Sequence, residues 1–165
     1  MKYLSLFFVL FSLLLTSSVQ RKGPQTREQL GQSLFELLKT NDSKKLKQLT
    51  LPLKQYKEQV SSSDYTTDEK QSLLSEAEQR IQKRDVELEF STGTVRNNAS
   101  SEGVRWESAT YLKTVEHVNF EKRPNNSEIE VYFLASNKVY KFWATDCIKF
   151  GSDWYLGFRK LRWVG

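Results

Sequence analysis

The chain has 165 residues, and 25 basic against 20 acidic residues give it a formal net charge of +5. This mildly basic balance is far from that of a nucleic-acid-binding domain, so we expect no nucleic-acid partner. The single cysteine, Cys147, excludes an intramolecular disulfide. With one histidine as well, only an all-oxygen metal site remains, and no acidic loop has calcium-binding spacing, so we expect neither a metal nor a cofactor.

Residues 1–20 are typical of a secretory signal peptide. Lys2 precedes the apolar run LSLFFVLFSLLL at residues 4–15, and small residues follow it. The run is too short to span a bilayer as a mature helix, although an uncleaved anchor is the alternative. We therefore expect an exported protein, periplasmic or secreted, with no transmembrane anchor after cleavage. Residues 21–165 have the length of a single domain.

Helices are predicted over about residues 26–90. Thr26 and Gln29 fit a capping box at the start of the first helix, which runs to about residue 39. The apolar stripe of this helix is formed by Leu30, Leu34, Leu37 and Leu38. The Asn-Asp-Ser sequence at residues 41–43 ends this helix and caps a short second one.

The second half of the helical region is less regular. Residues 53–60 fit either a helical turn or a packed loop. Thr66 and Glu69 form a second capping box, and the following helix is predicted to reach Phe90, although the alternation of residues 85–90 also suits a strand. Residues 92–103 are polar and contain glycines, which predicts a loop.

An antiparallel meander is predicted over about residues 104–164. Its last part contains three aromatic-rich runs separated by turn signals at residues 136–138 (Ser-Asn-Lys) and 151–153 (Gly-Ser-Asp). Another turn signal at residues 123–127 separates these runs from an earlier strand. The predicted fold class is therefore α+β, with N-terminal helices packed on a curved antiparallel sheet.

The turns predict the sheet register if consecutive strands are neighbours. They place His117 opposite Phe133, Phe133 opposite Lys141, and Lys141 opposite Trp163. Alternation then gives two faces that are both apolar. The second face is predicted to contain Leu112, Val118, Phe120, Tyr132, Leu134, Tyr140, Phe142, Ile148, Trp154, Leu156 and Phe158. Because the helices can cover one face, the second must enclose a pocket, meet a partner subunit or form an exposed interaction patch.

The candidate ligand-binding residues come from this second face and from an acidic neighbour. They are Tyr132, Phe142, Asp146 and Trp154. Asp146 lies among aromatic residues, where a perturbed carboxylate could line a cavity, but a strand-end hydrogen-bonding role is favoured. The basic residues Arg159, Lys160 and Arg162 interleave with apolar ones and could bind a polyanion, although a charged edge strand explains them better.

No catalytic residue is assigned from the sequence. A Cys–His nucleophile pair would have to be Cys147 and His117, and the predicted register separates them along the strands. We therefore expect Cys147 to be a small buried hydrophobe and His117 to be an ordinary sheet residue.

Three short motifs carry a resemblance to a protein group. Together with the signal peptide and the N-terminal helices, Gly-Val-Arg-Trp at residues 103–106, Asp-Cys-Ile at 146–148 and Trp-Tyr-Leu-Gly at 154–157 resemble exported bacterial proteins of unknown function. Their fold is similar to the cystatin-like, nuclear-transport-factor-2-like cone, which implies helices against a strongly curved antiparallel sheet. Some members of that fold group are enzymes with an Asp–His pair in the cone, and others are dimers or small-ligand binders. No motif here matches the Asp–His pair.

These observations lead to three hypotheses. The first is a non-enzymatic envelope or secreted protein that binds a small ligand or a protein partner through the second apolar face, a homodimer through the sheet included. The second is a small hydrolase or isomerase with its active site inside the cone, which convergence of Asp146 or His117 with a tyrosine would favour. The third is an electrostatic binder of envelope polyanions through Arg159, Lys160 and Arg162.

Overall fold

The computed structural model describes residues 23–117 and 126–165, so the predicted signal peptide at residues 1–20 lies outside the described residues. Within these residues, five α-helices precede an open five-stranded antiparallel sheet, which confirms the α+β class. The helices are α1 (Arg27–Thr40), α2 (Ser43–Leu49), α3 (Leu53–Ser62), α4 (Thr67–Ser75) and α5 (Ala77–Ser101). None of the described helices is long and apolar enough to cross a membrane.

Helices α1, α2 and α4 begin at the predicted caps, whereas the helix predicted to run from Thr66 to Phe90 is divided at Glu76 into α4 and α5. The hydroxyl of Thr26 accepts the Gln29 amide hydrogen in a capping box at the start of α1. Asn41 ends α1 in the left-handed conformation, with a φ of 53°, and the Asp42 side chain caps α2. Thr66 forms the second predicted capping box before α4. The ambiguous segment at residues 53–60 is helical.

Helix α5 continues through the predicted loop at residues 92–103 as far as residue 101, so that prediction is wrong. The hydroxyls of Ser91 and Thr92 donate to the Leu88 carbonyl at 3.0 and 2.7 Å, which satisfies these polar groups within the helix. Leu88 and Val95 are buried on the same side of the helix. The apolar stripe therefore continues through a segment whose composition is otherwise polar.

The first four strands of the sheet have the predicted order of consecutive neighbours, whereas the fifth does not pair with the fourth. Its strands are β1 (Thr110–His117), β2 (Asn126–Ala135), β3 (Lys138–Phe150), β4 (Asp153–Leu156) and β5 (Leu161–Trp163). The order is β1-β2-β3-β4, and β5 also pairs with β3. The long strand β3 pairs with β4 near its end and with β5 nearer its middle, so two short strands share one edge of β3.

The predicted register is wrong by one residue in the β2–β3 hairpin. Its turn has two central residues, Ser136 and Asn137, with φ angles of 48° and 63°, and Phe133 lies opposite Tyr140 instead of Lys141. Trp163 likewise pairs with Phe142 instead of Lys141. Since side chains alternate along a strand, a shift of one residue moves every side chain of β3 to the other face.

The sheet consequently has one apolar face and one mixed face. On the face that packs against the helices, the Phe133 ring lies 5.2 to 6.4 Å from five other aromatic rings, those of Phe35, Trp106, Tyr140, Phe142 and Trp163. The other face, here called the outer face, carries Glu130, Tyr132, Leu134, Val139, Lys141 and Trp143. The expectation of two apolar faces is therefore wrong.

A second, smaller core joins α3, α4 and the start of α5 to β4. Its buried members are Leu51, Tyr56, Val60, Ala77 and Tyr155. Because this core fixes α3 and α4 beside the end of the sheet, it determines the position of the cleft described below. The segment before α1 also contacts β4, since the Trp154 amide donates to the Pro24 carbonyl at 2.7 Å.

Candidate functional site

A cleft of about 660 Å³ lies between α3–α4 and the ends of β2 and β3. We call it the sheet cleft. Its helical wall includes Tyr56, Gln59, Ser63 and Tyr65, and its sheet wall includes His117, Asn126, Asp146, Phe158 and Arg159. The rings of Tyr56 and Phe158 lie 5.4 Å apart. Aromatic, acidic and basic groups therefore face one cavity.

The Asp146 carboxylate is held rigidly in the wall of the sheet cleft. Its Oδ2 atom accepts the Phe158 amide hydrogen at 2.6 Å, and its Oδ1 atom accepts from the Asn126 side chain at 3.4 Å. A Cβ atom on Gly157 would lie 2.1 Å from Asp146 Oδ2, so this close approach requires glycine. Asp146 has the hydrogen-bonding role favoured from the sequence, but it lies within β3 and not at a strand end, and it also lines the cleft.

Beside the cleft, three side chains on the outer face donate to one carboxylate, and a fourth lies close to it. Glu130 is only 4% exposed, and its oxygens accept hydrogen bonds from Tyr132 at 2.5 Å, Trp143 at 2.5 Å and Lys141 at 3.0 Å. His117 Nε2 lies 3.3 Å from the same carboxylate. We call these five residues the Glu130 cluster. Every lone-pair direction of a buried carboxylate is used when donors surround it in this way.

The Glu130 cluster carries a fixed negative charge. Burial alone would raise the pKa of Glu130, but the hydrogen bonds from Tyr132, Lys141, His117 and Trp143 outweigh burial and lower the pKa to about 2. The same contacts raise the pKa of the Tyr132 hydroxyl and of the Lys141 ammonium group, because each hydrogen-bonds to the carboxylate. Glu130 is thus ionised at neutral pH, and Tyr132 and Lys141 stay protonated.

His117 connects the Glu130 cluster to the sheet cleft. Its ring packs 5.7 Å from that of Trp143, and its side chain is 49% exposed along the cleft wall. Nε2 lies 3.3 Å from a Glu130 oxygen, and a neutral imidazole that carries its proton on Nε2 presents the other ring nitrogen as a proton acceptor. The arrangement can therefore orient a histidine for accepting a proton from a bound molecule.

His117 pairs with Glu128 instead of Phe133, so the predicted separation of His117 from Cys147 along the strands is wrong. They nevertheless face opposite sides of the sheet, because Cys147 is fully buried in the main core. Burial raises the pKa of its thiol strongly, which disfavours the thiolate that a nucleophile needs. The expectation that Cys147 is a small buried hydrophobe is confirmed.

The structure does not bring the four predicted ligand-binding residues together. Asp146 lines the sheet cleft, and Tyr132 belongs to the Glu130 cluster. Phe142 is fully buried in the main core. Trp154 is buried as well, with the Arg27 guanidinium carbon 4.1 Å from its ring centre. The one-residue shift in register separates Tyr132 from Phe142.

The three predicted polyanion-binding residues are also divided. Arg159 lines the sheet cleft. Lys160 is exposed in the loop between β4 and β5, and Arg162 is exposed on β5 opposite Trp143. Of the predicted site residues, Asp146 and Arg159 therefore share one cavity, and His117 joins them there.

Sequence reasoning missed Glu130, Trp143 and the helical wall of the cleft. Glu130 stands alone between Ile129 and Val131 in an otherwise apolar run, which is a detectable signal for a carboxylate with a special environment. A two-residue turn at residues 136–137 would have placed Glu130 and Trp143 on one face. The placement of Tyr56 in the cleft depends on how α3 packs, for which the sequence carries no local signal.

Comparisons with protein-family models, with curated proteins and with solved structures find no match to this chain. Among the described residues, no group of three or more His, Cys, Asp and Glu side chains is arranged to hold a metal ion. Any functional assignment therefore depends on the geometry of the sheet cleft and the Glu130 cluster.

Proposed function

We propose that this protein is an exported, non-enzymatic binding protein that holds a small ligand in the sheet cleft. The observation that supports this proposal is the convergence of Asp146, Arg159 and His117 with the Tyr56 and Phe158 rings on one cavity. Export is proposed from the signal-peptide features of residues 1–20, and the cone-shaped fold from the helices on an antiparallel sheet.

The size and lining of the sheet cleft favour a small molecule. Its volume of about 660 Å³ falls within the range of small-molecule pockets, about 300–1,000 Å³. Aromatic rings offer stacking surface, and the fixed Asp146 carboxylate and the Arg159 guanidinium offer orienting polar contacts of opposite sign. This lining fits a planar or aromatic molecule that carries polar substituents.

The proposal moves the binding site away from the surface that the sequence predicted. The outer face carries the Glu130 cluster at its centre, and its exposed apolar residues, Leu112, Leu134 and Val139, lie toward the hairpin. A homodimer through the sheet would have to bury these residues. Light scattering over a concentration series tests that arrangement independently of ligand binding.

The test is a thermal-shift screen of small aromatic and heterocyclic acids and amines, followed by calorimetric titration of the best compound. The protein is purified with its native N-terminus. We expect Arg159→Ala to weaken binding about tenfold, because a charge-assisted hydrogen bond is lost. The matched control is Lys160→Ala, which removes an equally exposed charge from the next residue outside the cleft lining and should leave affinity unchanged.

The outcomes separate the proposal from its alternatives. Equal weakening in both variants, with steep salt dependence, would instead support polyanion binding through Arg159, Lys160 and Arg162. Compounds that bind equally well to the wild type and to Arg159→Ala would overturn the sheet cleft as the binding site.

A second candidate function is proton-transfer catalysis by a small hydrolase or isomerase. The specific observation is that His117 lines the same cleft and lies 3.3 Å from the Glu130 carboxylate. The same carboxylate accepts a hydrogen bond from Tyr132. In this case the bound molecule would be converted during incubation, as followed by NMR. His117→Asn should then abolish conversion while leaving the dissociation constant within about threefold. An unchanged ligand after prolonged incubation excludes this candidate for that compound.

A further inference from the structure

A second and larger cleft, of about 950 Å³, lies between α1, α2, the start of α3 and β4. It shares no lining residue with the sheet cleft. We call it the amide cleft because of its lining. Neither the binding function proposed above nor the catalytic alternative makes use of it.

Uncharged hydrogen-bonding side chains from three helices converge on the amide cleft. Gln29, Gln32 and Ser33 lie three and four residues apart, so they form one stripe on α1. Gln48 reaches the cleft from α2, and Gln55 from α3. A side-chain amide donates two hydrogen bonds and accepts two, so the lining can pair with groups that both donate and accept.

One acceptor in this lining has no donor. The Gln55 Oε1 atom is buried and has no hydrogen-bond partner among the described residues. A buried acceptor without a donor is unfavourable, but a group the size of water does not reach this atom, so the exposed Gln32 and Gln48 amides are the groups that a ligand would contact.

The charged groups around the amide cleft do not select for an ion. Lys45 and Lys47 are balanced by Glu36 and Asp153. The Asp153 carboxylate already accepts hydrogen bonds from the Gly23 amide at 3.0 Å and from a serine hydroxyl at 2.9 Å. Apolar surface is supplied by Leu49, Pro24 and Pro52.

We propose that the amide cleft binds a neutral polyhydroxylated ligand, namely a saccharide. Each sugar hydroxyl both donates and accepts, which matches the exposed amide side chains of Gln32 and Gln48. The C–H faces of a sugar ring would pack on Leu49 and the two prolines. A cavity of about 950 Å³ has room for a short oligosaccharide.

The test is calorimetric titration of the protein, with its native N-terminus, against maltotriose, cellotriose and chitotriose. Sialyllactose and glucose 6-phosphate serve as charged probes. We expect at least one neutral sugar to bind, and the double variant Gln32→Ala/Gln48→Ala to weaken it by roughly tenfold, since two hydrogen bonds are lost. Both glutamines are exposed, so the fold should be retained, which circular dichroism checks.

Two controls make the result specific. Gln82→Ala removes an exposed amide on α5 that lines neither cleft, and it should leave sugar affinity unchanged. Arg159→Ala should also leave it unchanged, so failure of this inference is distinguishable from failure of the sheet-cleft proposal. The saccharide assignment is overturned if no neutral sugar binds at about 10 mM, a concentration well above typical small-ligand dissociation constants, or if glucose 6-phosphate binds more tightly. It is also overturned if the double variant binds as well as the wild type.

Discussion

The two faces of the sheet are built from alternate residues of the same strands, yet they are stabilised in different ways. On β2, Phe133 is fully buried among aromatic rings, whereas Glu130, three residues earlier, is buried by hydrogen bonds on the outer face. Apolar burial is non-directional and insensitive to pH. A buried carboxylate depends on the direction and protonation of each donor. The comparison shows that one strand supports a core and a chemically specific surface at once.

The largest loss of stability should come from removing an aromatic ring on the sheet face that packs against the helices. Phe133→Ala should lower the free energy of unfolding by about 4 kcal/mol, because the ring fills the centre of an aromatic cluster. Urea denaturation followed by tryptophan fluorescence measures this. The matched control is Leu134→Ala, the next residue on the outer face, which is 38% exposed and should cost less than about 1 kcal/mol. Equal losses would contradict the observed register.

The next largest loss of stability should come from a substitution on the outer face, and this loss should depend on pH. Glu130→Gln should destabilise the fold by about 3 kcal/mol at pH 7, because Lys141 and Tyr132 lose a charged acceptor. In the wild type the folded-state pKa of Glu130, about 2, is below the ordinary value of 4.5. Its contribution is therefore complete above pH 4.5 and is lost as the pH falls towards 2.

Urea titrations at pH 7, 4.5 and 2.5 distinguish this electrostatic contribution from simple packing. The wild type should lose stability over the acidic range, and Glu130→Gln should lose less over the same range. Identical pH dependence in the two proteins would show that the Glu130 carboxylate contributes nothing through its charge.

A smaller loss of stability should follow from adding a side chain at Gly157, next to the wall of the sheet cleft. Gly157→Ala places a Cβ atom where Asp146 Oδ2 lies, so we expect a loss of about 2 kcal/mol. In a double-mutant cycle, Asp146→Ala should reduce the additional cost of Gly157→Ala by at least about 0.5 kcal/mol. Strict additivity would mean that these two residues do not contact each other.

The smallest effect should be a gain in stability at the turn that sets the register. Ser136 and Asn137 both have positive φ, as the two central residues of a type I′ turn require. Ser136→Asn with Asn137→Gly should raise the thermal midpoint, corresponding to about 0.5–1 kcal/mol. A lower midpoint would argue against this turn. It would then also argue against the assignment of the β3 side chains to the two faces of the sheet.

The helices and the strand order could be predicted because their signals are local. The capping boxes at Thr26 and Thr66 require only residues three positions apart, and turn residues separate the strands. The extension of α5 could not be predicted, because polar residues favour a loop and the bonds from the Ser91 and Thr92 hydroxyls back to the Leu88 carbonyl are formed only in the folded helix. Composition alone does not reveal that bonding.

The candidate site was less predictable because it depends on which face of the sheet each strand residue occupies and on tertiary packing. A turn of two residues instead of three exchanges the faces of β3, which moved Phe142 into the core and brought Trp143 to Glu130. Asp146 and Arg159 were identified from their residue types and neighbours, and both line the sheet cleft. The opposite wall, with Tyr56, comes from α3, whose position is set by contacts distant in sequence.

The short strand β5 has a consequence for how the molecule opens. Its three residues are attached to β3 at Phe142–Ala144, to α5 through a 3.3 Å hydrogen bond from the Leu161 amide to Ser91, and to Glu102 through the Trp163 indole. Leu161 is buried and Trp163 packs in the aromatic cluster, but the pairing with β3 covers only three residues, so β5 should detach in local fluctuations more readily than β2, and its amides should exchange with deuterium faster. Each detachment uncovers an aromatic stretch of β3 that could pair with another molecule. The charges on Arg159, Lys160 and Arg162, which lie within β5 or just before it, oppose pairing of β5 with another molecule through repulsion.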